Sequence, residues 1–218
     1  MLGVVINGFH TFEDFGLGWL QGGFELSEPE IQTHYVEVEG MDGSLDLTED
    51  LSGRPIYKDR TLKLTFDSPA GTYEAYTALC SRIDSRLHGR RCEITLDTDP
   101  DWFYLGRGKW SHTKDADGVE THVFTATVEP FKYYRDMTAL TVNVDGTADV
   151  VLENSMAPAT PFFTTSDKDM RVQQGSAEYS VLPGTDMEIY GITLLEGSNV
   201  LTFTGTGTVT IQYREGML

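Results

Sequence analysis

Between Thr121 and Glu129 the chain alternates with a period of two. His122, Phe124, Ala126 and Val128 fall on one side of an extended strand, and Val123, Thr125, Thr127 and Glu129 on the other. The first set is the more apolar and is the expected core face. The same rhythm returns in residues 31–40, 61–67, 92–98, 139–144, 199–205 and 208–216, where Thr, Val, Tyr and Phe dominate. Twenty-two glycines and eight prolines keep these runs short. Short alternating runs cut by turn residues specify pleated, half-buried strands, so the chain is expected to be mainly β.

One stretch follows another period. Tyr73, Tyr76, Leu79, Ile83 and Leu87 are three or four residues apart and share one helical stripe. Thr72 is the expected N-cap, and Gly89 suits the left-handed position past the end. Arg82 and Arg86 lie towards the C-terminus, where cations favour the helix dipole. The spacing predicts a helix over residues 72–88, packed on a sheet by its stripe.

Charge narrows the function. There are 34 acidic and 16 basic residues, a formal charge of −18. Such a surface repels phosphate, which argues against binding DNA or an anionic membrane. No apolar run approaches the roughly 20 residues of a membrane-spanning helix. The opening lacks the basic region of a secretory signal, so none is expected. Eleven of the 16 basic residues lie between Arg54 and Lys114. Beyond Arg135 there are three basic residues against 11 acidic, while turn signals recur at Asp145-Gly146, Pro183-Gly184 and Glu196-Gly197. A boundary is therefore expected around Arg135 to Met137. It separates a sheet-plus-helix module, residues 1–135, from a small β-sandwich, residues 136–218.

The chemistry-bearing residues form no sequence motif. Cys80 and Cys92 make neither a disulfide framework nor a four-ligand metal site, and read as part-buried thiols of a protein made in a reducing cytosol. Asp97, Asp99 and Asp101 lack the glycine and late glutamate of a calcium loop and read as a polar turn. The acidic stretch from Asp42 to Asp50 reads as a surface loop. His10, His34, His88, His112 and His122 show no close ligand spacing, and each reads as a surface or structural histidine. No serine sits in a G-x-S-x-G elbow, and no phosphate-cradling glycine loop is present. Gly205 and Gly207 lie between strand-like runs and read as a turn. No residue is assigned to a catalytic, cofactor-binding or metal site, and no enzyme activity is expected. Trp102, Phe103, Tyr104, Trp110, Phe131, Tyr133 and Tyr134 read as core or interface packing. The apolar opening, with Phe9, Phe12, Phe15, Leu17, Trp19 and Leu20, is expected to dock on its own domain or to reach a neighbour.

Four segments together resemble a known family. They are Ile6-Asn7-Gly8 with Asp14-Phe15-Gly16-Leu17; residues 40–50 with Tyr57-Lys58-Asp59-Arg60; the helix end Leu87-His88-Gly89 with Cys92-Glu93-Ile94 and residues 97–107; and residues 194–218. In these the chain resembles the distal tail (Dit) proteins of long, non-contractile-tailed bacteriophages and prophages. Asn154-Ser155-Met156 departs from the pattern, which would place a glycine soon after the asparagine.

The resemblance implies a virion protein of the tail tip, made in the host cytoplasm and needing no cofactor. Its N-terminal β-sandwich or split barrel, with one α-helix, would form a hexameric ring. A smaller C-terminal galectin-like β-sandwich would decorate the outside. The ring would join the tail tube to the tip or baseplate and its tail-associated protein, and let DNA pass. The charge accords with this, since six copies at −18 each carry −108 and a conduit should not grip phosphate. The basic stretch is expected to meet acidic surface across a heterologous subunit contact. Two expectations compete. One is a carbohydrate-binding host-recognition module stacking sugars on Phe162, Phe163, Tyr179 and Tyr190, although the second half has neither Trp nor His. The other is a tail-tip hydrolase, for which no catalytic group is visible.

Overall fold

The computed structural model describes residues 2–69 and 71–218. It divides into two compact units, residues 1–130 and 131–218. The division falls inside the strand Glu120–Tyr134.

The first unit opens with β1 (Val4–Ile6), β2 (Phe9–His10), the one-turn helix α1 (Thr11–Phe15) and β3 (Gly18–Leu26). A hairpin of β4 (Tyr35–Glu37) and β5 (Ser44–Asp46) follows, then β6 (Arg60–Ser68), α2 (Tyr73–Leu87), β7 (Arg91–Leu96), β8 (Asp99–Lys114) and β9 (Glu120–Tyr134). The main sheet has the order β2-β1-β7-β8-β9-β6-β3. Three strands stand between β1 and β6. Yet Val4 and Ile6 of β1 share a core with Leu62, Leu64 and Phe66 of β6, so the sheet curls. On β9 the buried face is His122, Phe124, Ala126 and Val128, as the alternation predicts. Phe124 lies across Gly108 of β8, where an added Cβ would sit 2.0 Å from its ring.

α2 is the expected helix. Thr72 accepts from the Ala75 amide at 3.2 Å, and Gly89 takes a φ of +71°. Only the C-terminal half of its stripe is buried: Ile83 and Leu87 are fully covered and Leu79 partly, while Tyr73 is 69% exposed. The helix α1 is not foreseen by periodicity, because five residues make barely one turn. Its ends are nevertheless encoded. His10 Nδ1 accepts from the Phe12 and Glu13 amides, Asp14 accepts from the His10 amide, and Gly16 ends the turn at φ +72°. Phe15 and Leu17 are buried, whereas Phe12 and Leu20 stay exposed. Residues 31–40 correct the expectation of a half-buried strand. Only Tyr35–Glu37 is extended, pairing with Ser44–Asp46 in a hairpin whose side chains face no core.

The second unit contains β10 (Thr138–Asn154), β11 (Phe162–Thr165), β12 (Arg171–Gln174), β13 (Ala177–Ser180), β14 (Gly184–Glu188), β15 (Gly197–Tyr213) and β16 (Gly216–Met217). β10 and β15 pair along all 17 residues. The other edge of β15 carries β12 near Phe203 and β11 near Ile211. The core-facing side chains of β15, Leu201, Phe203, Val209 and Ile211, join Val172, Phe163 and Leu152 in one cluster. Gly205 and Gly207 are thus not a turn, as their sequence context suggested, but the middle of a continuous strand. A Cβ on Gly205 would lie 3.2 Å from the Met170 backbone, and one on Gly207 would lie 3.0 Å from the Asp167 carboxylate. The missing side chains admit the crossing segment before β12. Asn154, at the departure from the family pattern, is buried and donates to the Ala157 and Leu194 carbonyls.

Candidate functional site

Most of the acidic and aromatic candidates have structural duties. Asp97 accepts from the Gly3 amide at 2.7 Å and lies 3.0 Å from His10 Nε2, tying the β7–β8 turn to the N-terminal strand. The stretch from Asp42 to Asp50 is exposed or half-exposed, and a hydrogen bond from Thr48 holds the Asp46 carboxyl below its usual range. Trp110 packs on Phe66 and Phe124 in the core. One of the aromatics put forward for sugar stacking is not at the surface. Phe163 is fully buried, the Tyr179 hydroxyl donates to the Gly191 carbonyl, and Tyr190 is 83% exposed. Cys92 is buried and Cys80 half-buried, and both are free thiols.

The histidines are where the sequence reading missed a constellation. Residues 80, 112 and 122 share no motif spacing, but α2, β8 and β9 bring them together. Cys80 Sγ and one ring nitrogen each of His112 and His122 lie within 4.8 Å of one another. His112 Nδ1 is 2.8 Å from His122 Nδ1. On the far side of each ring stands an acceptor: Asp84 Oδ1 is 3.2 Å from His112 Nε2, and Ser68 Oγ is 3.0 Å from His122 Nε2. Ser68 in turn donates to Glu120, whose other oxygen takes Lys114 Nζ at 2.6 Å. Burial, with the neighbouring His112 charge, pushes the His122 pKa down to about 4. Burial raises the Cys80 thiol and, with Cys80 adjacent, lifts Tyr76 to about 12. Burial acts to raise Glu120 as well, but hydrogen bonds from Lys114, Ser68 and the Gly71 amide outweigh it and keep the carboxyl below its usual value. The signal lay in the alternation, which put His122 on the core face, where a lone imidazole needs partners.

A different surface is left uncovered. β3 is the terminal strand of its sheet and, among the described residues, pairs only with β6. Leu20 and Phe24 on β3, then Ile31, Tyr35, Val38, Met41, Leu45 and Leu51, are all exposed large apolar side chains. They cluster within 32 residues of the sequence, and Leu51 is fully exposed. Ile31, Thr33, Tyr35, Asp46 and Thr48 also border an open depression of about 340 Å³. An unpaired strand edge beside exposed apolar side chains is the usual mark of a surface that another chain covers.

The basic stretch, expected to reach a neighbour, is largely used within the first unit. Lys58 pairs with Glu30, Lys63 with Glu25, Arg91 with Glu129 and Lys114 with Glu120. Arg82 and Arg86 lie over the Phe15 and Phe9 rings, and Arg60 Nε donates to the Ser27 carbonyl. Of these, Lys58, Arg60, Lys63, Arg82 and Arg86 tie residues 9–30 to the rest of the first unit, while Arg91 and Lys114 link strands of the sheet.

The architecture is thus that of a two-unit β protein: a curled sheet with one long helix, then a smaller bent sheet. The chain shares this fold, over 100% of both chains, with the crystal structure of the Dit protein of phage SPP1, described as a paradigm of the hub adsorption apparatus in phages infecting Gram-positive bacteria. The TM-score is 0.71 and the sequence identity 16%. No protein-family model and no curated protein matches the sequence.

Proposed function

We propose that the chain is a structural protein of a phage tail tip, assembling with copies of itself into a closed ring, hexameric by analogy, that joins the tail tube to the tip and lets DNA through. The observation that carries this reading is the likeness of the whole chain, both units included, to the SPP1 hub protein. The apolar strip from Leu20 to Leu51 supports it and supplies the contact. Burying a large apolar side chain contributes about 1.5–3 kcal/mol, so a handful of them covered by the next subunit is enough for a stable interface. A closed ring uses a heterologous contact, in which this strip meets a different face of the neighbour. The formal charge of −18 per chain makes the assembly a poor ligand for DNA, as a conduit requires.

Sedimentation velocity of the full chain over a hundredfold range of concentration tests the reading. A single species of ring mass that persists on dilution is expected. A monomer at every concentration contradicts it.

A further inference from the structure

The row Asp84–His112–His122–Ser68–Glu120 contains four contacts, each of which needs one hydrogen between its two polar atoms. Two neutral imidazoles and one hydroxyl supply three. With neutral rings, one contact in this row therefore lacks its hydrogen. The shortfall is forced by the arrangement of the two rings, which face each other through Nδ1 and each present Nε2 to an acceptor. A second hydrogen on one ring would fill the row, but it sets a charged imidazole against the fully buried His122.

A cation between the two Nδ1 atoms removes the shortfall. Each ring then carries its hydrogen on Nε2. His112 donates to Asp84, His122 donates to Ser68, and Ser68 donates to Glu120. This is the outer-shell pattern that orients metal-binding histidines, in which the second ring nitrogen donates to a carboxylate or hydroxyl. The third donor is already present, since Cys80 Sγ lies within 4.8 Å of both ring nitrogens of the cluster. We propose that Cys80 Sγ, His112 Nδ1 and His122 Nδ1 form a binding site for a divalent ion of the zinc class, with solvent in the fourth position, that fastens α2 to β8 and β9.

Soft sulfur and borderline imidazole donors favour zinc, or cobalt in its place, over magnesium or calcium. Tetrahedral zinc with Zn–N bonds of about 2.0–2.1 Å sets two nitrogens about 3.3 Å apart. The two Nδ1 atoms stand at 2.8 Å, so a small outward rotation of the rings admits the ion. Cys80 is half-buried and the Asp84 side chain 43% exposed, which gives solvent access from the α2 side. Binding forms a sulfur–metal bond and releases the thiol proton to solvent. With the two ring nitrogens also bound to the ion, both imidazoles carry their hydrogen on Nε2, and no oxidation state changes.

The test uses the full chain, stripped with a chelator and titrated with Zn²⁺ by calorimetry and with Co²⁺ by absorption. One Zn²⁺ per chain is expected, tighter than about 1 µM, the range reached by zinc sites built from Cys and His. Co²⁺ should give a thiolate-to-metal charge-transfer band and strong tetrahedral visible absorption. Cys80→Ser should abolish the charge-transfer band and weaken Zn²⁺ at least about tenfold, while Asp84→Asn should weaken it about 10–100-fold. His34→Gln, on the exposed stretch before β4, should bind as the parent does. Circular dichroism melts verify that each variant is folded. No stoichiometric Zn²⁺ uptake by the folded parent, or an unchanged affinity in folded Cys80→Ser, overturns the site.

Discussion

Two regions of the first unit invert the usual rule in opposite directions. Behind the sheet, between α2, β8 and β9, polar and titratable side chains are covered, and each finds partners among its neighbours. Along β3 and the β4–β5 hairpin, large apolar side chains are exposed and find few. Covered polar groups with partners describe a place whose side chains are all drawn from this chain. Exposed apolar groups describe a place that waits for another chain. The same fold therefore separates a covered polar cluster from an exposed apolar surface, and substitutions in the two regions should fail in different ways.

The sharpest contrast comes from the shared core beneath both. Phe124→Ala removes a fully buried ring beside Trp110 and should cost about 3–5 kcal/mol in urea unfolding, whatever the state of assembly. Leu45→Glu with Leu51→Glu should leave monomer stability within about 0.5 kcal/mol of the parent. The same pair should weaken each subunit contact at least about tenfold, which is about 1.4 kcal/mol, as read by sedimentation. A large fall in the monomer melting temperature would show that the strip is part of the fold instead.

In the second unit, the Tyr213 hydroxyl donates to the Glu153 carbonyl. Tyr213→Phe should cost about 1 kcal/mol. Burial, followed by the charges of Glu215 and Glu153, raises the Tyr213 pKa. The unfolded chain therefore loses that proton first, near pH 10. The stabilisation is whole below pH 10 and declines as pH rises towards the folded value. Urea melts at pH 8 and above pH 10 should show the parent losing more stability over that interval than Tyr213→Phe. The smallest effect belongs to the surface pairs. Lys63→Ala, breaking the exposed contact with Glu25, should change stability by less than about 1 kcal/mol and leave assembly intact.

Much of the fold was legible where period and burial agree. The alternation of β9 and the C-terminal half of the α2 stripe named their core faces, because Phe124, Ala126, Val128, Ile83 and Leu87 meet one hydrophobic cluster. Legibility failed where a pattern has no core to answer it, as in residues 31–40, and where glycine serves close approach instead of a turn, as at Gly205 and Gly207. The strip from Leu20 to Leu51 was visible only in its first residues. Alternating apolar residues announce burial, but not whether the cover comes from the same chain. The Cys80–His112–His122 cluster was illegible for a different reason. Its members come from three elements: the adjacent strands β8 and β9 set His112 beside His122, and the seating of α2 adds Cys80.

Native mass spectrometry of the full chain bears most directly on ring formation. With 24.3 kDa per chain, a closed hexamer of about 146 kDa is expected from the parent, with the Leu45→Glu, Leu51→Glu pair shifted to the single-chain mass. A parent found only at the single-chain mass, or a ring that the paired substitution leaves intact, contradicts the account.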